Sequence, residues 1–172
     1  GLKLEPFTTT LNNEIAKIEF QLKLVQFPHS SPSIYMNSWE NVSSDLMADE
    51  KFGIQIDRAN NWLDDDVKSL VKTATTQKQK VKLLYEFLRD NFSCNGKEGI
   101  QITTSLKDVF KNKSGSVADI NMLMIAMFRI IKIDAQPVIL STRSNGYTDE
   151  LYTLIDTFNY VFAQVIINDS SM

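Results

Sequence analysis

The sequence predicts an α+β domain in which helices pack on one side of a small antiparallel sheet. Several segments with apolar residues at three- and four-residue steps precede one long, nearly all-apolar helix, and strand-like segments follow it. The chain has 172 residues, of which 43% are hydrophobic and 23% charged. This is an ordinary globular composition, long enough to bury a sizeable core.

The first predicted element is a long strand from Glu14 to Phe27. Apolar and polar residues alternate along it, and the alternation places Ile18, Phe20 and Leu22 on one face. The stretch Pro28–Ser33 that follows is rich in proline and serine. Such a composition favours a linker between two parts of the chain.

Helices are predicted over the next part of the chain. Ser38 caps a short helix that Phe52-Gly53-Ile54 interrupts, a second helix covers Ala59–Ala74, and the capping-box pair Thr76 and Gln79 opens a third that reaches Asn91. The run Asp64–Asp66 has the composition of a metal site. Consecutive helical residues point about 100° apart, however, so we interpret the run as a solvated face near the positive end of a helix.

The central stretch of the sequence follows a turn bracketed by Gly96 and Gly99 and a short helix capped by Ser105. Ser114-Gly115-Ser116 forms a small-residue turn, and the apolar run from Val117 to Ile131 then predicts a buried helix. The remaining predicted elements are a strand at Ala135–Ser141 with Pro137 near its start, a polar loop or short helix at Thr148–Thr157, a strand at Phe158–Ile167 and a turn at Asn168–Ser171.

This stretch resembles the transglutaminase-like, papain-like cysteine enzymes. Gly115-Ser116-Val117-Ala118-Asp119 occupies the family's G-x-C-x-D motif, Pro137–Arg143 matches the strand that follows, and Phe158–Ala163 is similar to the strand that bears the catalytic histidine. Val117 stands at the position of the nucleophilic cysteine, and Tyr160 at that of the histidine. The resemblance therefore implies a transglutaminase-like fold without its catalytic cysteine and histidine.

The resemblance also implies a domain organisation. In bacterial proteins of this type the transglutaminase-like domain follows a β-rich domain. We therefore expect residues 1–33 to be a strand and linker from such a preceding domain, and residues 34–172 to be a degenerate transglutaminase-like domain. The family's third catalytic residue, an aspartate, would fall beyond Met172, so we expect this domain to be incomplete at its C-terminal end.

Thiol catalysis is restricted by the residues available, because the chain has one cysteine and one histidine. A reactive thiol needs a neighbouring base, so Cys94 and His29 are the sole possible Cys–His pair. Both lie outside the motif stretch. We interpret Cys94 as an ordinary half-buried thiol and His29 as part of an exposed loop. Ser116 is interpreted as a helix cap, since a serine without a neighbouring base is a poor nucleophile.

The resemblance places five polar residues at the border of the former cleft: Ser116, Asp119, Asn121, Arg143 and Asn159. In one interpretation, Asp119 and Asn121 satisfy backbone groups near the helix start and Arg143 pairs with a carboxylate. In the other, these residues line a non-catalytic groove for an extended peptide or a glycan. We favour a pseudoenzyme or interaction module of a larger bacterial cell-envelope protein. The alternative is an active hydrolase or transferase that uses Ser116 or Cys94.

Charge and composition exclude several other functions. A net charge of −3 without a lysine or arginine cluster argues against a general nucleic-acid binder. One cysteine excludes an internal disulfide, and no apolar run is long enough for a membrane span. We predict no cofactor and no metal site. A periplasmic or cell-envelope location is expected from the resemblance alone, and the sequence leaves the oligomeric state open.

Overall fold

The computed structural model describes residues 9–16, 18, 20, 22–34 and 38–167. Within these residues the helices are α1 (Trp39–Ala48), α2 (Gly53–Asp57), α3 (Asp64–Leu70), α4 (Gln77–Asn91), α5 (Leu106–Asn112) and α6 (Val117–Ile130). The strands are β1 (Leu24–Val25), β2 (Ser33–Ile34), β3 (Ser93–Cys94), β4 (Ser114–Gly115), β5 (Asp134–Leu140) and β6 (Tyr160–Ile166), and short 3-10 helices cover Leu11–Asn13, Asn61–Leu63 and Ile155–Thr157.

Helix α6 lies at the centre of the domain. Its side chains Met122, Leu123, Ile125 and Met127 are wholly buried. Strands β5 and β6 pair antiparallel, from Asp134 opposite Ile166 to Leu140 opposite Tyr160, and contact α6, while α2, α3, α4 and α5 also contact this helix. The predicted α+β arrangement of helices on a small antiparallel sheet is therefore confirmed.

The predicted helix caps are confirmed at four helix starts. Ser38, Thr76, Ser105 and Ser116 each accept a hydrogen bond through the side-chain oxygen from the backbone N–H three residues later. The pair Thr76 and Gln79 forms the reciprocal capping box that its spacing predicted. Local side-chain chemistry therefore fixes where these helices begin.

Two helical predictions need correction. The predicted helix Ala59–Ala74 is shorter: the 3-10 turn Asn61–Leu63 leads into α3, which ends at Leu70. The predicted interruption at Phe52-Gly53-Ile54 lies slightly earlier, because α1 ends at Ala48 and α2 already begins at Gly53. A Cβ atom at Gly53 would lie 2.2 Å from the carbonyl oxygen of Met47, so glycine here permits the end of α1 to approach α2 closely.

The acidic run at the start of α3 has an electrostatic role. Asp64 pairs with Lys68 one turn later, at 2.6 Å, while Asp65 and Asp66 are exposed. These carboxylates lie in the first turn of the helix, where the helix dipole favours negative charge. Among the residues that the structure describes, no three metal-binding side chains cluster together.

The predicted long strand at Glu14–Phe27 is wrong in its described part. Strand pairing is confined to Leu24–Val25, which forms a hairpin with Ser33–Ile34. The predicted linker Pro28–Ser33 therefore makes the turn of this hairpin and begins its second strand. Ile18 and Phe20 are 82% and 95% exposed, so their alternation is not matched by a sheet partner in the described chain. Residues 17, 19 and 21, and the predicted turn Asn168–Ser171, lie outside the described residues.

The N-terminal segment contacts the loop after β5 through Asn12 and Asn13. Asn12 Nδ2 donates to the Asn145 carbonyl oxygen at 3.4 Å. Asn13 lies beside the loop after β5, and its Oδ1 accepts a hydrogen bond of 2.9 Å from the backbone N–H of Tyr147. The division at residue 33 stays a prediction. Of the helices that the structure describes, none has the length and apolar character needed to span a bilayer.

Candidate functional site

The candidate site is built on the N-terminus of α6. Ser116 is the cap residue and is 2% exposed. Its Oγ accepts a hydrogen bond of 3.1 Å from the Asp119 N–H, while its own N–H donates to Asp119 Oδ2 at 2.8 Å. This reciprocal pair confirms the predicted role of Ser116 as a helix cap.

Asp119 joins the helix start to the loop before α5. Its buried carboxylate also accepts hydrogen bonds from the backbone N–H and the hydroxyl of Thr103, each at 2.7 Å, and a longer one from the Thr104 N–H at 3.4 Å. Burial acts to raise the pKa of Asp119, but the hydrogen bonds from Ser116 and Thr103 together outweigh burial and hold the pKa below its ordinary value. The carboxylate is therefore ionised near neutral pH, with its oxygens already engaged.

Gly115 makes this close arrangement possible. A Cβ atom at Gly115 would lie 2.7 Å from the Cβ of Asp119 and 3.2 Å from Cγ1 of Val109. Any larger side chain would push the carboxylate away from the helix start. The requirement for glycine at position 115 is therefore steric and independent of catalysis.

The segment after α4 runs alongside the helix start. Cys94 of β3 pairs in parallel with Gly115 of β4, and the Asn95 N–H donates to the Gly115 carbonyl oxygen at 2.9 Å. Cys94 is exposed, so the predicted half-buried thiol is wrong. The contact between Cys94 and Gly115 could not be predicted from the sequence. The two strands are far apart in the chain, and a two-residue bridge leaves no periodic pattern.

The partly buried Lys113 supports this bridge. The Lys113 backbone oxygen accepts a hydrogen bond of 2.9 Å from the Ser93 N–H. Lys113 Nζ lies 3.6 Å from the ring centroid of Phe110 and 4.6 Å from that of Phe92, within cation–π range. Burial lowers the pKa of Lys113, although Asp66 acts in the opposite direction. The aromatic cluster thus anchors the residue that enters β4.

One loop connects Val117 to Tyr160, the two positions that the resemblance assigns to the family's cysteine and histidine. The Val117 N–H donates to the Lys97 carbonyl oxygen at 3.1 Å, and the Gly99 N–H donates to the Asn159 carbonyl oxygen at 2.7 Å. Val117 is the first residue of α6, which confirms its predicted place in the first helical turn. Tyr160, directly after Asn159, is half-buried and begins β6. Residues 97–99 therefore form one loop that is hydrogen-bonded both to the start of α6 and to the residue before β6.

The other predicted polar residues differ in their surroundings. Asn159 Oδ1 accepts from the Thr142 N–H at 2.8 Å, and its Nδ2 donates to Thr142 Oγ1 and to Glu98. Asn121 Nδ2 donates to the Val117 carbonyl oxygen at 2.9 Å. Arg143 is exposed and makes no ion pair with a carboxylate of the described residues, so its predicted pairing is wrong there. An exposed pair would have gained little against the entropy of ordering a long side chain.

The single histidine lies elsewhere in the chain. His29 is exposed, as predicted, and occupies the turn between β1 and β2 with a φ of 62°. In the described part of the structure, no hydrogen bond joins it to Cys94. The arrangement therefore offers an exposed thiol beside the helix start without a described histidine to activate it.

A cavity adjoins the loop that carries Gly99. It has a volume of about 400 Å³ and is lined by Lys51 and by residues 99–103. We call the surface formed by residues 94–99, Val117, Tyr160 and this cavity the α6 N-terminal site. Its exposed members carry thiol, amide and charged groups: Cys94, Asn95, Lys97 and Glu98.

Comparisons with known proteins agree with this geometry. A family model described as the transglutaminase-like superfamily matches residues 65–170. A crystal structure described as a "putative protease" from Parabacteroides distasonis ATCC 8503 matches with a TM-score of 0.60 and 12% identity, over 89% of this chain and 30% of that chain. This chain therefore spans less than a third of that protein, and at this identity the likeness shows the fold alone. No curated protein matches the sequence significantly. Because the family model covers more than half of its residues, the chain belongs to the transglutaminase-like superfamily.

Proposed function

We propose that this domain is a non-catalytic transglutaminase-like module that binds an extended peptide or a glycan polymer at the α6 N-terminal site, within a larger bacterial cell-envelope protein. The observation that carries the proposal is the pair Val117 and Tyr160, which the resemblance aligns with the family's cysteine and histidine. An isopropyl group has no lone pair with which to attack a carbonyl carbon. A phenol replaces the imidazole that activates the thiol.

The polar residues at the start of α6 have a structural role in this proposal. Ser116 and Asp119 bind one another, and the Asp119 carboxylate also binds Thr103. Using Ser116 as a nucleophile would uncap α6 and would need a base, yet its neighbour Asp119 already accepts hydrogen bonds at both oxygens. These residues maintain the fold of the site while leaving it without a nucleophile–base pair.

Binding of a polymer is supported by the exposed part of the site. Lys97 and Glu98 lie on the loop between the helix start and β6, and the cavity of about 400 Å³ continues from that loop along residues 99–103. Backbone and amide groups lie along this path. An extended peptide or a sugar chain is recognised mainly by such groups, so the surface suits a ligand longer than a single residue.

Catalysis by Cys94 is the second candidate, and its exposure beside Gly115 favours it. A thiol near a helix N-terminus gains nucleophilic character when its thiolate is stabilised. The described residues supply no histidine for it, so this mechanism would need another base.

Two substitutions at Cys94 separate the two candidates. Cys94→Ser keeps the size of the side chain and removes the thiol, whereas Cys94→Trp fills the surface beside Gly115. Activity is measured as hydrolysis of fluorescein-labelled casein and as incorporation of dansylcadaverine into dimethylcasein. Binding is measured by fluorescence anisotropy with labelled casein peptides and with labelled chitohexaose.

We expect the wild-type chain to show no turnover above background and to bind one of the two polymers. Binding should persist in Cys94→Ser and weaken in Cys94→Trp. Turnover by the wild type that disappears in Cys94→Ser would establish the enzymatic alternative. Binding that is unchanged in Cys94→Trp, or absent for both polymers, would reject this surface as the binding site.

A further inference from the structure

The opposite end of α6 carries a second cavity, which the proposed function does not use. It has a volume of about 540 Å³ and lies between α1 and β5. Apolar side chains of α1 form one wall, and Pro137, Ile139 and Phe158 form the facing wall. Both the volume and the apolar lining are typical of small-molecule sites, which measure roughly 300–1,000 Å³.

Three polar side chains lie at this cavity: Ser43, Gln136 and Arg129. Arg129 has 29% of its side chain exposed and is fixed at two points. Its Nε donates to the Ala135 carbonyl oxygen at 3.1 Å, and its Nη1 donates to Asp57. Its Nη2 donates to no described residue. The guanidinium group is thus positioned by the protein with donors left over, in the planar form that suits a carboxylate.

We propose that this cavity binds a small amphipathic carboxylate, with its apolar chain between α1 and β5 and its carboxylate on Arg129. The chain would bury itself against Val42, Leu46 and Ile139. The carboxylate would accept from Nη2 without displacing Asp57, because Asp57 and Ala135 engage the other nitrogen atoms. Ser43 and Gln136 would supply further hydrogen bonds, since neither side chain is bonded within the described chain.

An added β-strand is a poor occupant of this place, although β5 borders the cavity. Arg129 already engages the Ala135 carbonyl oxygen, and Pro137 has no N–H to donate. Strand addition depends on those backbone groups. The same chemistry can still come from two sources, a free alkyl carboxylate or the carboxyl terminus of a peptide that ends in an apolar residue.

Trp39 lines the cavity, so we expect its fluorescence to change when a ligand binds there. The chain has two tryptophans, so the substitution Trp62→Phe leaves Trp39 as the source of tryptophan fluorescence. We would titrate this protein with decanoate below its micelle concentration, with decan-1-ol, and with the peptide acetyl-Leu-Leu in acid and amide forms. Calorimetry on the unmodified chain would check the affinities.

We expect a saturable change in Trp39 emission with decanoate or with the acid form of the peptide, and the tighter of the two identifies the source. The carboxylate form should bind about tenfold more tightly than the matched alcohol or amide, because one hydrogen bond to a charged group contributes about that much affinity. Arg129→Gln should abolish that preference while leaving decan-1-ol binding unchanged. Equal affinity of the wild type for the charged and neutral forms would overturn the role of Arg129. This comparison needs no variant.

A matched pair of variants tests the location. Ser43 and Ser44 are both exposed on α1, but Ser43 alone of the two lines the cavity. Ser43→Phe should weaken decanoate binding by about tenfold or more by occupying the cavity, whereas Ser44→Phe should not. Equal effects of the two substitutions, or no saturable response to any carboxylate, would overturn the proposal.

Discussion

The two ends of α6 differ in how their polar groups are satisfied. At the N-terminal end, the Asp119 carboxylate is wholly buried and receives four hydrogen bonds from Ser116, Thr103 and Thr104. At the C-terminal end, Arg129 is partly exposed, has spare donors and faces an apolar cavity. The polar network inside the N-terminal end is therefore closed, whereas the polar group at the C-terminal end has donors left for a ligand.

This difference has an energetic consequence. A buried donor that loses its acceptor cannot recover a hydrogen bond from water, so substitutions in the N-terminal network should be costly. At the C-terminal end, water replaces lost partners and screens the charges. We expect the buried network of Asp119 to govern stability, whereas substitutions at Arg129 should change ligand binding at its cavity with little change in stability.

The largest effect is expected from Asp119→Ala. Removing the carboxylate leaves the buried N–H of Ser116 without its acceptor. It also removes the acceptor of both donors of Thr103, which is an exposed residue. We expect a loss of about 3 kcal/mol in the free energy of unfolding, measured by urea denaturation at neutral pH. The loop that carries Thr103 should exchange its amide hydrogens faster in the variant.

Asp108→Ala is the matched control, because Asp108 is also the third residue of a capped helix. Its carboxylate accepts from the Ser105 hydroxyl at 2.6 Å but is exposed. We expect a loss of about 0.5–1 kcal/mol. If both aspartates cost the same, burial is not what distinguishes the helix start of α6.

A second test uses pH. Because the folded protein holds the pKa of Asp119 below its ordinary value of 3.8, the ionised carboxylate stabilises the fold above that pH. This contribution is lost as the pH falls through the lower, folded pKa. The stability advantage of the wild type over Asp119→Asn should therefore be largest near neutral pH and shrink below about pH 4. An advantage that stays constant down to pH 2 would show that the charge of Asp119 contributes nothing.

The sequence predicted the elements that depend on local chemistry. The caps at Thr76 and Ser116, the buried helix and the pair of strands β5 and β6 are encoded in short-range patterns, and the structure confirms them. The prediction of a long N-terminal strand was wrong because an alternating pattern defines the two faces of a strand but does not supply the neighbouring strand with which it must pair.

The unpredicted parts of the sites depend on contacts between distant segments. Cys94 reaches Gly115 through a two-residue bridge, and Asp119 meets Thr103 across the loop before α5. No pattern in the sequence indicates that Asp57 and a cavity adjoin Arg129. Tertiary neighbours of this kind leave no periodic signal, so pattern reasoning could not find them.

The smallest effect is expected for the ion pair at the C-terminal end of α6. The Asp57 side chain is 55% exposed and that of Arg129 is 29% exposed, so solvent screens their attraction. A double-mutant cycle with Asp57→Ala and Arg129→Ala should give a coupling energy of about 0.5–1 kcal/mol in the free energy of unfolding, decreasing as salt is added. Arg129→Ala alone should cost more than Asp57→Ala, because it also removes the hydrogen bond to the Ala135 carbonyl oxygen. A coupling above about 2 kcal/mol that salt does not reduce would place this pair in an environment as closed as that of Asp119, and the contrast between the two helix ends would then fail.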